Sequence, residues 1–254
     1  MDANNQRFQL GSETAKNGFK NENDIVEKFN NWIVDVDAQK WLKIMGYKLD
    51  DIDYVKAYKI NGSFKSDVQV QVKVVIKLKS LLNHSNLQVK LVSNSIGYNQ
   101  IDKRWVDRYK ELWNIPEDVI QILKYYTGEY EPYIDDPRDP RRMHLDEFTD
   151  LEQNKVIDFF TSNKILVAND ILKGRGQFAA EWILVAQKIN QNARWVLTAI
   201  NIAINHFSNG PVEISNRGTL KIGRITVQRK GGDSGRSTAN MLQFKISPDE
   251  LFDL

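Results

Sequence analysis

Apolar and polar residues alternate along residues 67–76, where Val68, Val70, Val72 and Val74 are interleaved with Gln69, Gln71 and Lys73. A period of two marks a strand with one buried face. The turn dipeptide Asn61-Gly62 separates this stretch from residues 54–60, so the two read as strands joined by a hairpin-like turn. A further turn near residues 83–86 leads into a third strand at 87–92. Helical spacing governs other stretches. Phe19, Val26, Phe29 and Ile33 place a helix over residues 18–33 with that stripe facing the core. Helices are also predicted at 37–45, 103–113, 116–126 and 150–163, with Pro116 and Glu117 marking one start. Residues 193–206 read as an apolar helix, and 178–188 contains a buried strand. Strands return at 212–215, 219–228 and 241–246, and residues after Pro248 suit a final helical turn.

Residues 130–142 hold three prolines among clustered charges and read as a long surface loop. Helices on either side of a strand set predict an α/β fold, a single domain over residues 1–254 with a central mixed β-sheet flanked by helices. The length of 254 residues is near the upper end for one hydrophobic core.

Composition narrows the chemistry. With 41% hydrophobic and 27% charged residues the chain has the make-up of an ordinary globular protein. The absence of cysteine excludes a disulfide framework, thiolate zinc sites and a cysteine nucleophile, and it fits a cytoplasmic location. The polar N-terminus lacks the apolar core of a secretory signal, and no apolar run approaches the ~20 residues of a membrane span. His84, His144 and His206 show no ligand spacing, which disfavours a zinc hydrolase. The net charge of +2 conceals a division: residues 61–110 carry +6, residues 211–245 carry +5, and the remainder −9. Two basic segments suggest a polyanion partner; two solvated faces would look the same by charge alone.

Candidate chemistry lies on the third strand. Leu87, Val89 and Leu91 point one way, so Gln88 and Lys90 share the opposite face. A lysine inside a short apolar strand is costly to bury unless a negative charge compensates it. Ser66-Asp67 opens the preceding strand, and 20 residues separate Asp67 from Gln88, enough to return the chain alongside it. Adjacent antiparallel strands lie about 5 Å apart, so Asp67, Gln88 and Lys90 can converge. A hard cation such as magnesium needs oxygen ligands, which Asp67 and the Gln88 amide can supply. The metal would polarise a scissile phosphate, and the ammonium would orient water and stabilise developing charge. Glu22 falls on the stripe of the first helix, where its partner is a lysine, a backbone donor or a metal, unless it reaches solvent. Singly, each of these signals is common by chance.

Together the motifs resemble the PD-(D/E)XK nuclease superfamily, and within it the HinP-type restriction endonucleases that recognise GCGC. The similarity runs through residues 14–22 (TAKNGFKNE), 88–94 (QVKLVSN), 99–103 (NQIDK), 174–182 (GRGQFAAEW), 228–233 (QRKGGD) and 238–245 (TANMLQFK). Ser66 stands where proline is usual and Gln88 where a second carboxylate is usual, and HinP-type enzymes share both departures. The resemblance implies a sheet edged by helices and magnesium-dependent cleavage of double-stranded DNA, cut G/CGC to leave short cohesive ends. It places the catalytic centre within residues 14–110, built on Asp67, Gln88, Lys90, Ser66 and Glu22, with Asp67 and Gln88 on the metal.

For DNA contact, residues 93–100 form a polar turn after the catalytic strand. The resemblance implies that Tyr98 wedges between base steps and that Gln100 contacts a base, with Asn94, Asn99 and Lys103 nearby. Tyr98 packed under its own loop is the bland reading. Residues 228–240, within a recognition segment at 211–246, are too polar for a core. Arg229, Lys230 and Arg236 suit phosphate or guanine, and Asp233 suits a cytosine amino group. A palindromic target favours two-fold assembly, although a monomer can nick each strand in turn. The competing readings are a non-catalytic DNA-binding protein on a nuclease scaffold and a structure-specific repair nuclease. A pure binder has no use for a carboxylate where phosphate approaches, whereas a repair nuclease would cut without a fixed sequence.

Overall fold

Asp35 has an extended backbone, and its side chain accepts a hydrogen bond from Ala38 N at 2.9 Å. That N-cap, for which aspartate is well suited, separates two helices, α1 (Ala3–Asn30) and α2 (Val36–Ile44). The computed structural model describes residues 3–59, 69–76, 81–93, 97–189, 192–232 and 235–254. After α2 come β1 (Ile52–Lys59), β2 (Gln69–Ile76), β3 (Leu81–Val92) and β4 (Asn99–Arg104). Next are α3 (Val106–Trp113), α4 (Glu117–Thr127), α5 (Asp150–Ser162), α6 (Lys164–Leu172), β5 (Trp182–Ile189) and β6 (Asn192–Ala199). The chain ends with α7 (Ile200–Ser208), β7 (Val212–Ile214), β8 (Leu220–Ile222), β9 (Ile225–Arg229), β10 (Leu242–Ile246) and a 3-10 turn at Pro248–Asp253.

These elements form two units, each with its own sheet. The first comprises residues 1–99, 173–203 and 247–254. Its sheet has the order β1-β2-β3-β5-β6 and is mixed: β3 runs parallel to β5, and the other neighbours are antiparallel. Ile25 and Phe29 of α1 and Ala38, Trp41 and Leu42 of α2 pack on the face carrying Val55, Ala57, Leu87, Val89, Leu184 and Leu197. Trp41 holds this layer together, its ring 5.2 Å from Phe29 and 5.6 Å from Trp195. β1 is an edge strand, and Asn30 covers part of that edge. Its side chain donates to Ala57 O at 3.2 Å and accepts from Ala57 N at 2.8 Å.

The second unit comprises residues 100–172 and 204–246, with sheet order β4-β10-β9-β8-β7. Its apolar face gathers Tyr109, Trp113, Phe160 and Phe244, with Trp113 and Phe244 rings 5.6 Å apart. Two buried carboxylates brace β4 against its helices. Asp102 accepts from Tyr109 OH at 2.6 Å and Arg104 at 3.1 Å, while Asp170 accepts from Trp113 Nε1 at 3.2 Å and Arg104 at 3.3 Å. Burial and the Asp102 charge both push the Tyr109 phenol up, so it stays a donor.

The α/β class and the mixed sheet flanked by helices agree with the sequence reading. Four local expectations do not. Phe19 and Ile33 are exposed, and the buried face of α1 runs through Asn21, Glu22, Ile25 and Phe29. Residues 83–86 are strand, not turn, because eight consecutive pairings with β2 outweigh the turn preferences of Asn, His and Ser. Residues 103–104 end the strand β4 and do not start the helix expected from 103, which begins at Val106, because β10 supplies a ladder beside them. Residues 193–199 pair with β5 as β6, and only from Ile200 does the apolar run become helix. A short apolar run fits either state, and pairing decides.

The β8–β9 hairpin turns on Gly223, at φ +58°, with Ile222 opposite Ile225. A Cβ there would lie 2.6 Å from Asn209 O and 2.8 Å from Ser208 C and O, all backbone. Gly223→Ala is therefore expected to destabilise the protein by about 2 kcal/mol. Thermal melting followed by circular dichroism checks this, and an unchanged midpoint would contradict the close approach.

Candidate catalytic and nucleic-acid site

Leu87 and Val89 lie in the core under α1 and α2, so strand alternation sends Gln88 and Lys90 to the other face of β3. Both are 4% exposed. On β5, Ile183 stands opposite Gln88 and Val185 opposite Lys90, and both are fully buried. An ammonium beside two apolar side chains is a costly placement. The Gln88 Oε1 atom is buried and has no hydrogen-bond donor among the described residues. A buried acceptor without a donor costs roughly 1–3 kcal/mol, and it is the atom a hard cation would take. The described residues contain no cluster of three or more carboxylate or imidazole ligands, and Ser66 and Asp67 lie outside them.

Glu22 is 9% exposed, and its Oε2 is 3.0 Å from Lys59 Nζ. Lys59 also donates to Phe19 O at 3.1 Å and sits 5.2 Å from the Phe19 ring centre. The backbone register runs Lys59, Val70, Leu87 across the three strands, so Lys59 shares the face of Leu87, toward α1. The structure thus brings Gln88 and Lys90 together and puts Glu22 on the other face of the sheet with a lysine partner.

Asn86 shares the Gln88 and Lys90 face, and sequence reading missed its role. Its Nδ2 donates to Gln177 O at 2.8 Å and Ala179 O at 3.1 Å, and its carbonyl accepts from Glu181 N at 2.9 Å. The segment GRGQFAAEW is thereby strapped to β3 two residues before Gln88. Glu181 closes the same corner by accepting from Ile200 N at 2.8 Å. The polar residues in a strand were the available signal, but they read as a turn.

The candidate DNA contacts are of several kinds. Tyr98 is 57% exposed. Asn99 donates to Gly97 O at 3.3 Å, and Gln100 accepts from Gln243 Nε2 at 2.6 Å. Lys103 is half-buried on β4. Arg229 is engaged inside its unit: Nε donates to Thr127 O at 2.9 Å and Nη2 to Asn240 Oδ1 at 2.7 Å. Burial, together with the charges of Arg141 and Arg142, pushes its guanidinium below the ordinary range. Lys230 N and Gly231 N donate to Met241 O and Ala239 O, which extends the β9–β10 hairpin, and Arg236 is exposed beyond it. Asn94 and Asp233 lie outside the described residues.

The family model for the R.HinP1I restriction endonuclease matches residues 45–252. The chain belongs to that family. It is by membership a type II site-specific nuclease with DNA as substrate, as its motifs suggested. Enzymes of this kind generally use a divalent metal. Among solved structures, the restriction endonuclease MspI in complex with its cognate DNA is similar in fold. The two share a TM-score of 0.62 and 14% identity, over 94% of this chain and 92% of that one. At that identity the likeness carries the fold alone. No curated protein sequence gives a significant match. No helix among the described residues is long and apolar enough to cross a membrane.

Removing the strap at Asn86 tests whether it supports the strand of this restriction-endonuclease fold. Asn86→Ala deletes two partly buried hydrogen bonds and is expected to cost about 2 kcal/mol. Urea unfolding checks this, with protease sensitivity rising in residues 174–180. Wild-type stability and protection would contradict the role.

Proposed function

We propose that this enzyme hydrolyses double-stranded DNA at the palindrome GCGC, cutting G/CGC, with magnesium at Asp67 and Gln88. The observation that carries the reading is the pairing of Gln88 and Lys90, both buried on one face of β3, with Gln88 Oε1 lacking a donor among the described residues. Asp67 stands two residues before Gln69, and Gln69 is opposite Gln88, so the reading asks for only a short continuation of that ladder. A carboxylate and an amide oxygen suit a hard cation.

Magnesium, when bound, supplies Lewis-acid polarisation of the scissile phosphodiester and offsets its charge. The protein supplies the rest. Asp67 and Gln88 would hold the ion, and Ser66 leads into the carboxylate. Lys90, fixed by its burial, donates hydrogen bonds to the attacking water and to the phosphorane oxygens as negative charge builds there. Its low-solvent surroundings strengthen that interaction. Tyr98, being exposed, would enter a base step, and Gln100 would contact a base. Asn94, Asn99, Lys103, Lys230, Asp233 and Arg236 would supply further contacts. Arg229 contributes its charge while it braces the loop from within. A palindrome offers equal half-sites, which suits two copies related by its two-fold axis. A cysteine-free chain fits the cytoplasm, where cellular DNA is met.

Incubating the protein with plasmid DNA, with magnesium and with chelator, and sequencing the ends tests this reading. Discrete fragments only with magnesium, all ending at GCGC, are expected. Intact DNA in both conditions with binding retained would point to a non-catalytic binder, and ends at no fixed sequence to a structure-specific nuclease. Asp67→Ala and Lys90→Ala should each lower cleavage at least 100-fold while sequence-specific binding survives. Wild-type turnover by either variant would remove that residue from the site.

A further inference from the structure

The strand pattern that singles out Gln88 and Lys90 occurs a second time. Residues 87–91 read Leu-Gln-Val-Lys-Leu and residues 242–246 read Leu-Gln-Phe-Lys-Ile. In β10 the apolar members Leu242, Phe244 and Ile246 are fully buried, so Gln243 and Lys245 share the opposite face. That face continues into β9, where Gln228 stands opposite Gln243 and Thr226 opposite Lys245.

Gln243 is 6% exposed, and its Nε2 donates to Gln100 Oε1 at 2.6 Å. Its own Oε1 is buried with no donor among the described residues. A glutamine kept only for packing would be better replaced by an apolar residue of its size, since the orphaned oxygen carries a desolvation cost. The donated bond is what the side chain provides. Lys245, two residues along, is half-buried and has no acidic partner among the described residues, which leaves this sheet face attractive to a polyanion.

We propose that Gln243 is a positioning residue that sets the base preference of Gln100, an inference that rests on reading Gln100 as a base contact. A glutamine amide can pair with adenine by offering one donor and one acceptor, or present its nitrogen alone. The terminal torsion of glutamine is broad and roughly two-fold, so local hydrogen bonds decide which atom faces outward. Gln243 holds the Gln100 oxygen toward β10 and turns the carboxamide nitrogen away from it. Gln100 then meets DNA as a donor, which suits the N7 and O6 acceptors of guanine and disfavours the N6 amino group of adenine. This polarity matches a target whose purines are all guanine.

The test uses the full chain and short duplexes that carry the cleaved site or single guanine-to-adenine exchanges within it. Cleavage rates and melting temperatures are measured for wild type, Gln243→Met, Gln243→Glu and Gln100→Leu. Gln243→Met should melt no lower than wild type yet lose about 10-fold of the preference for guanine over adenine. Gln243→Glu, which can only accept, should lose at least as much. If both variants keep the wild-type preference while Gln100→Leu loses it, Gln100 reads a base unaided and the positioning role is overturned. If Gln100→Leu keeps the preference, the base contact itself fails, and the inference with it. Retained preference in Gln243→Glu alone would overturn the donor polarity. A Gln243→Met variant that melts lower and cuts every duplex equally more slowly would show a packing role only.

Discussion

Lys90 is buried in the middle of an apolar strand, and the rest of the first unit is arranged around that constraint. β3 has neighbours on both sides, so it cannot rotate to expose the ammonium. Its parity is set by Leu87 and Val89, which complete the core under α1 and α2. A slip of one residue would exchange the two faces, placing Gln88 and Lys90 in the core and leaving two apolar residues outside. The hydrophobic core is thus what aims the candidate catalytic groups. Asn86 adds to this by fastening residues 174–182 beside the same strand.

Polar groups inserted into apolar strands recur in both sheets. Gln88 in β3 and Gln243 in β10 each bury an amide oxygen without a donor among the described residues. Each is followed two residues later by a lysine on the same face. Such placements reduce stability and are expected where function demands them. The two sites differ in solvation: Lys90 is almost fully buried, whereas Lys245 is half-buried and burial holds its ammonium below the ordinary lysine range. On the proposed reading, one pattern serves two roles, catalysis in the first unit and orientation of a base contact in the second.

Much of this was legible in the sequence because alternation is a local signal. Val70 to Val74 revealed β2, and Leu87, Val89 and Leu91 revealed which face Gln88 and Lys90 occupy. Where pairing with distant segments decides, the sequence alone misled. Ala193 to Ala199 looks helical until β5 is set beside it, and Asn83 to Asn86 looks like a turn until β2 pairs with it. On α1 the predicted stripe holds at Glu22 and Phe29 but not at its ends, where Phe19 and Ile33 are exposed, and the lysine that meets Glu22, Lys59, lies on an edge strand that helix periodicity cannot see. Gln243 was visible by the same alternation that exposed Gln88, but it fell within a block read as recognition loop and family signature. The hydrogen bond from the Gln243 carboxamide to Gln100 spans 143 residues and has no local trace.

The most direct test is the magnesium concentration that gives half-maximal cleavage, compared for wild type, Gln88→Glu and Gln88→Leu. If the Gln88 oxygen faces the metal, a carboxylate there should lower that concentration and leucine should raise it by about 10-fold or more, following ligand charge and number. The same magnesium requirement in all three proteins would contradict a metal-facing Gln88 and move the centre of the site away from this strand.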